Sequence, residues 1–155
     1  MENKFVEKLI ADNKKSYFDY YIENKFMAGI VLEGQEVKSI RKGAVNLRDS
    51  YVTIKNGEVF LLGAHISKYD KADTLKKVDE RRTRKLLLTR PEISKLEKAV
   101  KVKGFTVVPT KMVMQNNLVK VEIAIAKGKE LHNKKDSLKE KDIKREAERE
   151  LKNYK

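Results

Sequence analysis

Apolar side chains recur along this chain in two rhythms, and the changes between them mark out its elements. Phe5, Val6, Leu9 and Ile10 fall at helical spacing, which predicts a short amphipathic N-terminal helix packed on the body. SYFDYYIE and FMAGIVLE, rich in aromatic and β-branched residues, lie on either side of Asn24 and Lys25 and read as two strands or one long bent strand. YVTIK and EVFLLGA flank Asn56-Gly57, two residue types that accept the positive φ of a tight hairpin. FTVVPTKMVMQ and LVKVEIAIA form a second pair around Asn116-Asn117, with Pro109 marking an irregular point or an edge. Helical spacing returns in GQEVKSIRKG, where Val37 and Ile40 share one face, Lys38 and Arg41 another, and Gly43 supplies a stop. A further helix starts at Thr89, with a capping box to Glu92, Pro91 in its first turn, a stripe of Ile93, Leu96 and Val100, and Gly104 at its end.

Short strands with a few helices between them suit a mainly β fold, a small antiparallel OB-like β-barrel with about three peripheral helices. The basic stretch from His65 to Lys85 reads mostly as a long surface loop. From Gly128 onward 17 of 28 residues are charged, too polar a composition to offset the entropy of ordering, so this basic tail is expected to be disordered when free. It still carries a capping box from Ser137 to Glu140 and a shared face of Ile143, Ala147, Leu151 and Tyr154, so it is expected to fold on a partner. The division is therefore a body, residues 1–127, and a tail, residues 128–155.

Charge narrows the partner. The chain carries 36 Lys and Arg against 23 Asp and Glu, a net +13, which points to a polyanion. Residues 1–127 hold 26 basic and 16 acidic side chains, a net +10, so the body carries most of the attraction. The absence of cysteine excludes disulfides, thiolate catalysis and Cys-ligated zinc. With only His65 and His132, no glycine-rich phosphate loop and no metal-ligand spacing, no catalytic constellation, cofactor or metal is expected. Charges interrupt the apolar residues near the N-terminus, and no stretch approaches the roughly 20 apolar residues of a span, so a cytoplasmic chain without a membrane partner is expected.

Three basic clusters are candidate phosphate contacts: Lys14 with Lys15; Lys38, Arg41 and Lys42; and Arg81, Arg82, Arg84 and Lys85. The last is favoured because guanidinium groups make planar, multidentate phosphate contacts. Tyr17, Tyr20 and Tyr21 are candidates for base stacking, with at least one of them in the core if they alternate along a strand. Met112 and Met114 read as packing residues, and His65 as a strand-end residue held by a hydrogen bond. His132, in a polar tail with no core to join, is a candidate RNA contact.

The block EGQEVKSIRKGAVNLRDSYV resembles the SsrA-binding protein (SmpB) family, which carries E-V-K-S-(L/I)-R-x-G-x-x-N followed by D-S-Y. The likeness continues through FLLGAHI, TRKLLL, GFTVVP and VKVEIAIAKGK, spanning about Asn13 to Lys135. It implies an OB-like barrel that binds the tRNA-like domain of transfer-messenger RNA (tmRNA, or SsrA RNA). It implies delivery of alanyl-tmRNA with elongation factor Tu and GTP to stalled ribosomes for trans-translation, with the tail in the empty mRNA channel of the small subunit. The family's RNA-facing positions fall here on Asn13, Lys14 and Lys15, on Glu36, Lys38, Ser39 and Arg41, and on Arg84, Lys85 and Leu87. The tail motif appears as Gly128, Lys129, Glu130, Leu131, His132, Asn133, Lys134 and Lys135, with His132 expected at the rRNA of the decoding centre. Met27 and Gln35 depart from a common glutamate and tryptophan, and Glu130, Asn133 and Lys135 from Lys, Asp and Arg. The chain is expected to be a monomer. A constitutive basic ribosomal protein or general RNA chaperone is the competing reading from composition.

Overall fold

Twelve elements follow one another in a computed structural model that describes residues 7–68 and 79–129. They are β1 (Glu7–Asp12), α1 (Lys14–Asp19), β2 (Tyr20–Ile30), α2 (Gly34–Arg41), β3 (Val45–Asn46) and β4 (Tyr51–Lys55), then β5 (Glu58–Leu62), β6 (His65–Ile66), β7 (Arg84–Leu87), α3 (Arg90–Val100), β8 (Phe105–Gln115) and β9 (Leu118–Gly128). Every strand pairing is antiparallel. In the main sheet β8, β4, β5, β7, β2 and β9 are successive neighbours, and β9 pairs again with β8, so the strands close into a ring with β1 added on β8. This is the mainly β, antiparallel arrangement with three helices that the pattern predicted. Closure leaves few free strand edges, which suits a small domain.

Turn chemistry at both hairpins follows from the residues. Asn56 and Gly57 have φ of 52° and 75°, and Asn116 and Asn117 of 48° and 70°, conformations that Asn and Gly tolerate better than other residues. β2 is one long strand whose pairing with β9 shifts between Ile22 and Lys25, the bend expected at Asn24 and Lys25. Pro109 marks the irregular point in β8: the register with β9 shifts between Pro109 and Lys111. β8 also changes partners there, pairing with β4 at Val107 and with β1 over Lys111–Gln115. Ala28, Leu61, Val107, Met112, Val121 and Ile123 fill the interior, joined from the helices by Ile40 and Leu96.

Two local expectations are corrected. Leu9 and Ile10, expected in a helix, lie in β1, where Glu7–Asp12 runs against Lys111–Gln115; Phe5 and Val6 lie outside the described residues. The edge of β8 offers unpaired backbone groups there, and ladder bonds to it outweigh a short helix that nucleates at a cost. The start of SYFDYYIE, expected as strand, is helical in α1. Asn13 organises that change: its N–H donates to Thr110 O at 2.8 Å, its Nδ2 to Pro109 O at 2.8 Å, and its own carbonyl accepts the Ser16 N–H and hydroxyl. The expected long loop is bounded by β6 and β7, with residues 69–78 outside the described part. The expected tail conformation also lies outside it, beyond Lys129.

Candidate nucleic-acid interface

α2 forms where a capping box closes its first turn. The Glu33 N–H donates to Glu36 Oε1 at 2.9 Å, and the Glu33 side chain accepts from the backbone of Glu36. In its last turn the carbonyls of Ser39 and Ile40 accept from the N–H groups of Lys42, Gly43 and Ala44, with Gly43 at φ 77° as the expected stop. Glu36, Ser39 and Ile40 face inward, whereas Lys38 and Arg41 are exposed. Arg41 makes no ion pair among the described residues.

Within the Arg-rich segment Arg82 and Arg84 turn inward to Glu36, whereas Arg81 stays exposed. Arg84 on β7 is fully buried. Its Nε donates to Glu36 Oε2 at 2.8 Å, and its terminal nitrogens donate to the carbonyls of Ala64 at 2.8 Å, Glu80 at 3.1 Å and Arg82 at 3.2 Å. Arg82 also clasps Glu36 through two nitrogens and reaches Val31 O. Burial would raise the Glu36 pKa, but hydrogen bonds from Arg82 and the Glu33 backbone and the Arg84 charge together hold it below the usual carboxylate range. Burial lowers the Arg84 pKa and Glu36 opposes that; a guanidinium stays charged regardless. The expectation of a direct phosphate contact by Arg84 is thus replaced by an internal ion cluster that pins α2 to β7 and to the end of β5. Such a partner was needed as soon as Glu36 fell on the apolar face of α2, a signal present in the sequence.

The other expected residues divide in the same way. Asn13 is buried and bonded to β8, and the buried Ser39 hydroxyl has no hydrogen-bond partner among the described residues. Lys14 and Lys15 are exposed, with Lys15 Nζ 2.8 Å from Asp49, whose carboxyl that hydrogen bond lowers in pKa. Lys85 alternates with Arg84 along β7, half-buried and 3.1 Å from Glu58, and Leu87 is exposed on the same side. Tyr17 and Tyr21 are exposed while Tyr20 is half-buried. His65 meets Glu80 at 2.6 Å, the strand-end bond expected of it.

Gly128 and Lys129, assigned to the tail, join the body. Gly128 closes β9, its N–H donating to Gly104 O. The Lys129 N–H donates to Asp19 O, its Nζ donates to Tyr17 O at 3.0 Å, and it lies 5.3 Å from the centre of the Tyr21 ring. Glu130, Leu131, His132, Asn133, Lys134 and Lys135 lie outside the described residues. Among the described residues no cluster of His, Cys, Asp and Glu could hold a metal, and no helix is long and apolar enough to cross a membrane.

The family model for SmpB protein matches residues 10–153. An SsrA-binding protein of Coxiella burnetii (strain RSA 331 / Henzerling II) is 51% identical over 154 residues, 99% of this chain and 97% of that protein. One from Thermoanaerobacter pseudethanolicus is 52% identical over 145 residues, covering 94% of this chain and 92% of its own. One from Acholeplasma laidlawii is 50% identical, covering 94% and 97%. A solved structure described as "tmRNA-SmpB: a journey to the center of the bacterial ribosome" superposes with a TM-score of 0.65 and 37% identity, over 84% of this chain and 87% of that one. On these likenesses and the fold, the chain belongs to the SmpB, or SsrA-binding protein, family.

Proposed function

We propose that the chain binds the tRNA-like domain of tmRNA and delivers it to stalled ribosomes for trans-translation, acting as an RNA-binding protein and not as an enzyme. The observation that carries this reading is the end-to-end identity of about half with SsrA-binding proteins. The exposed cations of the body support it. Lys14, Lys15, Lys38 and Arg41 present charge to the phosphates, with Lys85 and Leu87 on β7, while Asn13, Glu36, Ser39 and Arg84 act from inside by positioning those elements. In this reading the chain acts in the cytoplasm as a monomer and meets elongation factor Tu with GTP through the alanyl-tmRNA. The body is the RNA-binding unit, and the tail enters the empty mRNA channel of the small subunit. There rRNA phosphates attract Lys134 and Lys135, and His132 contacts the decoding centre with Asn133 beside it.

Purification of the chain from cells, followed by sequencing of the bound RNA, tests this. Dominant tmRNA is expected. A broad mixture of mRNA, or equal abundance on all ribosomes, would replace the reading by that of a general RNA chaperone or constitutive ribosomal protein.

A further inference from the structure

The pairing of β2 with β9 slips at one point, and a groove lies beside the slip. Ile22 faces Ala126 and Lys25 faces Ala124, so Glu23 and Asn24 together stand opposite Ile125. Between this bulge and α3 the groove has a volume of about 320 Å³, with Ala99, Val102, Phe105 and Ile125 as its apolar lining and Lys95 and Lys98 beside them. Val102 is 54% exposed. Neither lysine, nor Glu23 on the β2 side, makes an ion pair among the described residues. The proposed RNA-facing positions lie at α1, α2 and β7, and none of them lines this groove.

An apolar lining with cations beside it suits a segment that is apolar and acidic on one face, and the chain's own tail has that pattern. In a helix beginning at Ser137, Ile143, Ala147, Leu151 and Tyr154 share a face. Glu140, Glu146 and Glu150 lie three positions from Ile143 or Ala147 and border that face, whereas Lys141, Arg145 and Lys152 fall on the far side. Lys144, three positions from Ala147, supplies a cation for Glu23. The tail also starts in the right place. Lys129 N–H is bonded to Asp19 O, and Gly128 N–H to Gly104 O, next to Phe105 of the groove. The stretch from Lys129 to Ser137 reaches roughly 26 Å when extended. Ile125, four residues back along β9, is only about 13 Å away by strand rise.

We infer that residues 137–155 dock as an amphipathic helix in the α3 groove of the same chain, which holds the tail against the body until the ribosome takes it. By itself the tail is too polar to offset its ordering entropy; the groove supplies the missing apolar partner, and the tether keeps the two at an effective concentration of about millimolar. When docked, the tail turns Lys141, Arg145 and Lys152 outward, where rRNA phosphates compete for it. Docking itself needs no RNA; only the release rests on the proposed entry of the tail into the mRNA channel.

The chain has no cysteine, so Lys152→Cys in the full-length protein carries a single nitroxide, on the side of the tail turned away from the groove. Paramagnetic broadening of the Ala99, Val102 and Ile125 methyl signals is expected in the free protein, and it should persist when the labelled chain is diluted into an excess of unlabelled chain. Lys95→Glu with Lys98→Glu, both at exposed positions, should reduce the broadening severalfold. Adding Glu146→Lys and Glu150→Lys to that chain should restore it. The lysine variant should keep tmRNA affinity within about twofold, because neither lysine is on the proposed RNA face. No broadening in the native chain, or broadening unchanged by the lysine reversals, would overturn the docking. Broadening lost on dilution would assign the groove to a second copy, and a fall in tmRNA affinity of about tenfold would assign it to RNA; either overturns the inference. Intact docking in a chain that does not tag stalled ribosomes would keep the groove's occupant and sink the ribosome reading alone.

Discussion

Replacing Glu36 by Gln removes one negative charge from the place where two guanidinium groups meet. In the native chain that carboxylate takes Arg84 Nε at 2.8 Å and Arg82 Nε at 3.2 Å, and also closes the α2 capping box. The Gln oxygen can still accept from the Glu33 N–H, so the cap survives in part; the counter-charge does not. Arg84 is fully buried, and three backbone carbonyls around it supply dipoles but no compensating charge. Breaking a buried pair in this way costs about 3–5 kcal/mol, a large share of the roughly 5–15 kcal/mol that stabilises a domain. The chain has no tryptophan, so far-UV circular dichroism during urea unfolding is the practical assay. With a slope of about 1–3 kcal/mol per molar, the midpoint should fall by at least about 1 M. The pH dependence has a definite sign. The folded pKa of Glu36 lies below its unfolded value, about 4.3, so the stabilisation is complete above that pH and is lost as pH falls through the folded pKa. Glu36→Gln should therefore flatten the acid limb of the stability profile below about pH 4.3. A variant within about 1 kcal/mol of the native chain at pH 7 would refute the claim that this cluster holds α2 in place.

Other substitutions separate binding from folding. Arg41→Ala should weaken tmRNA binding by about 1–3 kcal/mol in a filter-binding titration while leaving the unfolding midpoint unchanged, because the side chain is exposed and makes no ion pair among the described residues. Truncation after Lys129, whose N–H still bonds to Asp19 O of the body, should keep tmRNA affinity within a few fold and abolish tagging on stalled ribosomes; tagging at the full-length rate would reduce the tail to a solubilising appendage. His132→Ala in the full chain should spare tmRNA binding and slow peptide transfer to alanyl-tmRNA, both measured on one preparation. Thr89→Ala should cost about 0.5–2 kcal/mol in thermal unfolding, since Thr89 Oγ1 accepts the Glu92 N–H at the start of α3.

What the sequence determined by itself is whatever arises within a few residues. The turns at Asn56-Gly57 and Asn116-Asn117, the capping box at Thr89 and the stop at Gly43 were legible because their backbone conformations depend on side chains a few positions apart. The family block was legible for a different reason, as a match of many residues in order. Tertiary structure decided the rest. Glu7 takes strand conformation because Gln115 lies opposite it, a partner more than a hundred residues away that no local window contains. Along RKLL, Arg84 and Leu86 point inward while Lys85 and Leu87 point outward. A register slip of one residue would exchange those faces, and nothing in the four letters chooses between them. Pairing of β7 with β5 and β2 makes the choice, and Glu36, 48 positions away, makes a buried guanidinium tolerable. Whether an arginine meets phosphate or carboxylate is thus settled by strand register and by the charge waiting in the core.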